Sequence, residues 1–442
     1  MAISRVHASR VRASARACLI AAALAAPVGA TPAGAIQQAP APTPTQPTAA
    51  KPTASKPAQT TPAQTQPTGS RAGKGPTTET AAADAADRDV RAARGMLERG
   101  DAAKAIALVD PILARQPGHP QAAAVKVDAL IGLGKVTGAL DAYDAWFGAV
   151  KIEDSAMLSR IAVAELETLQ AESLLQTDAL AALSVHPGPR GARARTQLTE
   201  LATANPPSSR SWPATVALCR LGDEAAAKRA AQAYRESTGS GRVTALDAVI
   251  AAGGPGAEAI LRDALGVRDA MIQSTAADGA ATLQLKGLVP DLQQATKTGE
   301  LFARFTAAVA LAHLGATGGE ALIEAGAASP AQDARLRVAG ARKARGDKGW
   351  IDAARSLLTS DDVAVRYQAA GMLLEVDRPA AVKVLQTGTQ DPNPAVRTLV
   401  ADVVTNDPAT PVAELRRLLR DGVPRVRLLA AAAILRRPAP PQ

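Results

Sequence analysis

Nucleophiles, general bases and metal ligands are sparse in this chain and far apart. Its four histidines stand at 7, 119, 186 and 313, and its two cysteines are Cys18 and Cys219, spacings that suggest no metal cluster. There is no G-x-S-x-G, no H-E-x-x-H and no Cys/His pairing at useful spacing. "GSRAGKGP" (69–76) is one residue short of a phosphate-binding loop and puts Gly75 where a magnesium-holding hydroxyl belongs. "GLGKVTG" (132–138) misses the dinucleotide-binding spacing and falls in a turn between helices. His313 ends a helix and reads as a turn or core histidine, and Cys219, among apolar neighbours, reads as a buried thiol. Asp361 and Asp362 begin a helix, where the dipole favours acids. The expectation is a protein that is not an enzyme and implies no cofactor and no metal.

Two features could bind a partner. Tyr143, Trp146 and Phe147 gather three of nine aromatics into five residues. Aromatics anchor interfaces, and the plainer alternative is a core between two repeat blocks. The C-terminal end is the other feature. From 411 onward Arg416, Arg417, Arg420, Arg425, Arg427, Arg436 and Arg437 face only Glu414 and Asp421, a net +5. That end reads either as a solvated capping face or as a dock for an acidic partner, phospholipid head groups or an anionic envelope polymer.

The whole chain of 442 residues has a formal charge of +9, which invites a nucleic-acid reading. Eight basic residues precede the first acid, Glu79, so the remainder carries 42 basic against 41 acidic residues. The remainder is near neutral, which weakens the nucleic-acid reading, since such a binder normally shows a basic face on its folded domain.

The elements that must position these residues begin after a leader and a tether. Residues 1–35 pair a basic stretch with the short apolar run "ACLIAAALAA" and two small-x-small sites, ending at Ala30 and Ala35. This predicts an export signal, with a mitochondrial transit peptide as the alternative, and no membrane-spanning segment in the mature chain. Loss of Cys18 with the signal would leave Cys219 alone, so packing must hold the fold without an intramolecular disulfide. Residues 36–83 open with Pro/Thr/Gln/Ala low complexity and read as a disordered linker.

Residues 84–153 are helical with a 34-residue step: Gly100 and Gly134, Ala105 and Ala139, Val109 and Tyr143, Ile112 and Trp146. This block resembles the tetratricopeptide repeat. Residues 154–209 form a helical connector that fits no repeat frame.

From 210 to 437 the chain repeats about every 31 residues. Arg242, Gln273, Arg304, Arg335, Arg366, Arg397 and Arg427 mark the register. Four residues past each mark stand Leu246, Ala277, Ala308, Ala339, Ala370, Ala401 and Ala431. Three past each mark the residue is small, and seven past it is aliphatic or small except for Arg342. Those offsets share one helix face. Six residues before the marks stand Thr298, Ser329, Ser360, Asp391 and Asp421, which read as N-caps, with Pro330 and Pro392 at the first helical position. Gly253, Gly315 and Gly346 mark turns, and Leu261, Leu292, Ile323 and Leu385 keep the step on a second helix.

This pattern, carried by "DDVAVRYQAAGML", "DPNPAVRTLVADVV" and "FARFTAAVALAHLG", resembles the HEAT family in its short, phycobilisome-lyase-like form. The resemblance implies a ladder in which each register arginine pairs with an acid of an adjoining turn, such as Asp391 or Asp421. The expected fold is all-α, a solenoid of stacked antiparallel helix pairs forming one elongated rod, with a tail at 438–442. The expected function is a non-enzymatic exported scaffold that binds proteins in the cell envelope, in the periplasm. The alternatives are an anionic-ligand or nucleic-acid-binding HEAT-like protein, or a lyase-like enzyme on a protein-bound chromophore.

Overall fold

A computed structural model describes residues 78–437, and its main compact unit runs from Arg88 onward. The export leader, most of the linker and the tail lie outside the described residues. Helix already begins at Thr78, inside the expected linker. The described residues form 22 α-helices and no strand. No helix among them is long and apolar enough to cross a membrane.

The first block holds α1 (Thr78–Glu98), α2 (Ala102–Arg115), α3 (Pro120–Gly132) and α4 (Val136–Val150), with α3 packed on both α2 and α4. The 34-residue step survives as burial: Ala105, Ala139, Val109, Tyr143, Ile112 and Trp146 all lie in the interior. Gly100 and Gly134 turn the chain with positive φ, a conformation that costs a glycine nothing sterically.

The connector resolves into α5 (Ser155–Leu169), α6 (Gln176–Ser184) and α7 (Pro189–Ala202). The array then alternates between two layers. Register helices α8 (Ser211–Arg220), α10 (Gly239–Ala252), α12 (Ala270–Thr282), α14 (Leu301–His313), α16 (Gln332–Ala344), α18 (Val363–Leu373), α20 (Pro394–Asn406) and α22 (Pro424–Arg436) each pack on the next. Between them lie α9 (Glu224–Glu236), α11 (Ala257–Gly266), α13 (Val289–Ala295), α15 (Glu320–Ala327), α17 (Gly349–Ser356), α19 (Arg378–Thr389) and α21 (Val412–Leu418). These pack mainly on the register helices beside them. The register helices are therefore the concave layer.

The small-residue rows explain this close stacking. Leu246, Ala277, Ala308, Ala339, Ala370, Ala401 and Ala431 are all completely buried, and so nearly are their neighbours one residue earlier. Methyl-sized side chains let helix axes approach at the near end of the usual 8–10 Å range. At α16 the frame set by Arg335 holds, since Val338 and Ala339 are buried. Arg342, where the other repeats put an aliphatic residue, turns outward to Glu324 and Asp347. The main apolar core still runs through Ala339, and beside it Leu336, Leu357, Val365 and Ala369 form a small separate cluster.

Two expectations need correcting. The helix starts lie two residues later than the sequence suggested. Asp362 and Asn393 are the caps, accepting from the N–H groups of Ala364 and Ala395. Ser329, Ser360, Asp391 and Asp421 each accept a hydrogen bond from the N–H two residues on. They build the turn that leads into the helix, a competing local use of the same side-chain chemistry. Pro330 and Pro392 accordingly sit in the turn, whereas Pro394 and Pro424 open helices.

The second correction concerns shape within this unit. The array is not an open rod: its last helix, α22, packs closely on α5 and also touches α6, while α6 packs on α8. The connector therefore joins the two ends of the array, and one continuous core runs through it, including Leu158, Ile161, Ala162, Ala430, Ala433 and Ile434.

Candidate functional site: the concave face and the seam

Rotating 100° per residue from the buried rows places positions −2, +2, +5 and +9 from each mark on the opposite, concave side. The +5 row reads Asp247, Asp278, Val309, Gly340, Gly371, Asp402 and Ala432. One contact shows how tightly this face curves. Arg337 of α16 donates to Asp278 of α12 at 2.8 Å, passing over α14, whose Thr306 and Val309 lie buried. Arg337 is nine-tenths buried, and its Nε and Nη1 find no acceptor.

The electrostatics of the hollow follow from its walls. The Asp247 carboxylate reaches water, yet protein surrounds it across the concave face and pushes it up to about 6; Arg220 pulls it down and Asp278 adds to the rise. Burial raises Asp278 against the pull of Arg337. Asp402 is raised by burial, opposed by Arg425, Arg436 and its hydrogen bond from Asn406. His313, on the same face, is pushed down by burial and then by Arg337, which favours the neutral ring. Among the described residues no three His, Cys, Asp or Glu side chains converge to hold a metal ion. Cys219 is buried in α8, and burial lifts its thiol to about 11, far from the reactive thiolate range.

The register arginines serve the turns. Arg366, Arg397 and Arg427 each donate to the carbonyl six residues back, at Ser360, Asp391 and Asp421. Arg304 reaches the Thr296 carbonyl at 2.9 Å. Arg397 also grips the carboxylate of Asp421 in the following turn, at 2.9 and 3.2 Å. Asp391 thus contributes its carbonyl to Arg397, not its carboxylate. Arg242 lies over the Tyr234 ring and 3.4 Å from Asp263. Arg335 leaves its Nε buried and unpartnered.

The two partner-binding candidates from sequence face each other across the seam. Arg416 pairs with Asp144 and lies 4.2 Å from the Phe147 ring centre and 5.6 Å from that of Tyr143. Arg420 reaches Asp141 at 2.8 Å and Asp144 at 2.7 Å. Arg425 pairs with Asp178, and Arg427 with Glu165 at 2.7 Å. Arg417 instead pairs with Glu414 of its own helix. Trp146 donates to the Gly118 carbonyl at 3.2 Å, and the Tyr143 hydroxyl accepts from the Asp154 N–H at 3.2 Å. Trp146 is fixed inside the first block and Tyr143 where that block meets α5, and Phe147 makes the nearer ring contact with the arginine.

Sequence reasoning missed Asp141, Asp144, Asp178 and Glu165. One signal for Glu165 was present: it is the sole charge in the apolar run "IAVAELETL" before Glu167. A family model of HEAT repeats matches residues 319–404, the stretch from α15 to within α20. No curated protein matches the chain.

Proposed function

We propose that the protein is a non-enzymatic interaction scaffold that holds a partner protein on the concave face of its closed helical array. HEAT repeats, to which residues 319–404 are similar, suggest protein–protein interaction in general. The carrying observation is the division of labour on the register helices. The alanine rows hold the array together, which leaves the opposite rows facing the hollow with Thr244, Asp247, Asp278, Gln368 and Asp402. Many modest polar contacts on a repeated curved surface suit recognition of another chain. The first block is read in the same sense, as tetratricopeptide-like, and the leader as an export signal that delivers the scaffold to the cell envelope. The seam weakens a nucleic-acid reading, because Arg416, Arg420, Arg425 and Arg427 are already matched by carboxylates of the same chain.

Proximity labelling from the full chain in its native cell tests this reading, compared with D247K/D402K, which reverses two concave charges. A defined set of labelled proteins that thins out in the variant is expected. An identical set from both chains would overturn the concave face as the working surface.

A further inference from the structure

We propose that the face of α4 formed by Asp141, Asp144 and Phe147 is a docking cradle for an arginine-bearing helix of a partner protein, held shut in the free molecule by Arg416 and Arg420. The inference rests on the scaffold reading in one respect, that the molecule works by binding another protein.

The chemistry the cradle accepts is displayed by its present occupant. Two arginines one helical turn apart share the carboxylate of Asp144, and one of them also reaches Asp141. The planar guanidinium of Arg416 lies over Phe147, with Tyr143 behind. Carboxylates and an aromatic face together favour arginine over lysine: an ammonium is drawn to a ring, as Lys151 is to Phe147, but cannot lie flat on it or fork onto a carboxylate. The partner segment this fits is a helix with arginines four residues apart, the spacing of Arg416 and Arg420.

The occupant reaches the cradle through side chains alone: Arg416 is buried over the rings, and Arg420 is about one-third exposed. Helices α22 and α5 pack backbone against backbone, whereas α21 and α4 meet through the tips of long side chains. Emptying the cradle therefore requires these two side chains to turn away, Arg416 from a buried position, and does not require the packing of α22 on α5 to open. The fit is also incomplete: the Nε of Arg416 is buried without an acceptor, and Asp141 remains 64% exposed. A partner arginine that satisfies all its donors gains a hydrogen bond that the internal one lacks. Tethering in the same chain gives the internal arginines an effective concentration on the order of millimolar, which sets how well a partner must compete.

The test uses the full chain, its R416Q/R420Q variant, and a fluorescein-labelled capped peptide of residues 411–422 as the probe. By fluorescence anisotropy at low salt, the peptide should bind the variant about tenfold or more tightly than it binds wild type, because the cradle is vacated. The gain should vanish when D141N/D144N is added, or when glutamine replaces both arginines of the peptide. Raising salt to about 0.5 M should weaken it, since the pairs are partly exposed. Equal affinity for wild type and variant, or binding that survives D141N/D144N, would overturn the proposal. Circular dichroism checks that the variant is folded; if it is not, R420Q alone frees Asp141, which Arg420 reaches, and the smaller gain it gives should vanish with D141N. A peptide that binds neither chain removes the cradle and leaves the scaffold reading standing, since that is tested on the concave face.

Discussion

At the joint of α20 with α22, Arg397 donates to the carbonyl of Asp391 behind it and to the carboxylate of Asp421 ahead of it. At the joint of α22 with α5, Arg427 donates to the carbonyl of Asp421 behind it and to the carboxylate of Glu165, 262 residues away. Side chains of both acids are nearly buried, 9% exposed for Asp421 and 8% for Glu165. The two joints use the same kinds of partner although one is sequential and the other joins distant parts of the chain; Arg397 forks onto Asp421 with two bonds, and Arg427 makes one to Glu165. Glu165 supplies its carboxylate from within the helix α5, whereas Asp421 supplies its own from the turn before α22, so the seam reaches the same pairing from a different element. Around that pair the seam adds those of Arg416, Arg420 and Arg425, which the sequential joint lacks.

The comparison breaks first on apolar packing. Ile161 of α5 and Leu373 of α18 are both completely buried. Ile161→Ala and Leu373→Ala should each cost about 2–5 kcal/mol in chemical denaturation. A seam that only touches would make Ile161→Ala far milder than its counterpart. Next come the two ladder acids. Glu165→Gln and Asp421→Asn should each cost about 1–3 kcal/mol, because each leaves a part-buried arginine without its opposing charge. Equal losses would sharpen the likeness of the joints, and a near-neutral Glu165→Gln would deny it. Asp141→Asn, at an exposed carboxylate, should cost less than about 1 kcal/mol and lose even that effect in high salt.

The smallest effect lies on the concave face, away from both joints, and serves as a control. Folding raises Asp247 to about 6, so the native state holds that proton more tightly than the unfolded chain does. Its contribution therefore lowers stability as pH rises from about 4 to about 6. Asp247→Asn should flatten that part of the pH–stability curve without altering either joint. A carboxyl titration followed by NMR should show a midpoint near 6 that falls in Asp278→Asn, where the neighbouring like charge is removed.

The repeated features were legible because repetition multiplies a weak signal. A single alanine says little, but Ala277, Ala308, Ala339, Ala370, Ala401 and Ala431 at one step define a buried row. The turn glycines at 253, 315 and 346 were equally plain, and all three take positive φ. The helix starts were misplaced by two residues because serine and aspartate shape a turn as readily as they cap a helix. The seam was hidden for the opposite reason to the rows. Each of its pairs occurs once, between residues hundreds of positions apart, so no periodicity marks it. Tyr143 and Arg416 were each conspicuous alone, yet nothing in the order of residues said they would meet. Arg337 and Asp278 escaped notice similarly, since a bond that skips a repeat depends on curvature.

Closure also sets an arithmetic for how such a gene can change. A solenoid with free ends can lengthen by duplicating one unit, because the newcomer stacks on the last and nothing else moves. Here one more hairpin would carry Arg427 past Glu165 and leave α5 without its mate, and one fewer would leave the ends unable to reach. The number of hairpins is thereby locked, and variation is confined to what the turns and the inner face display.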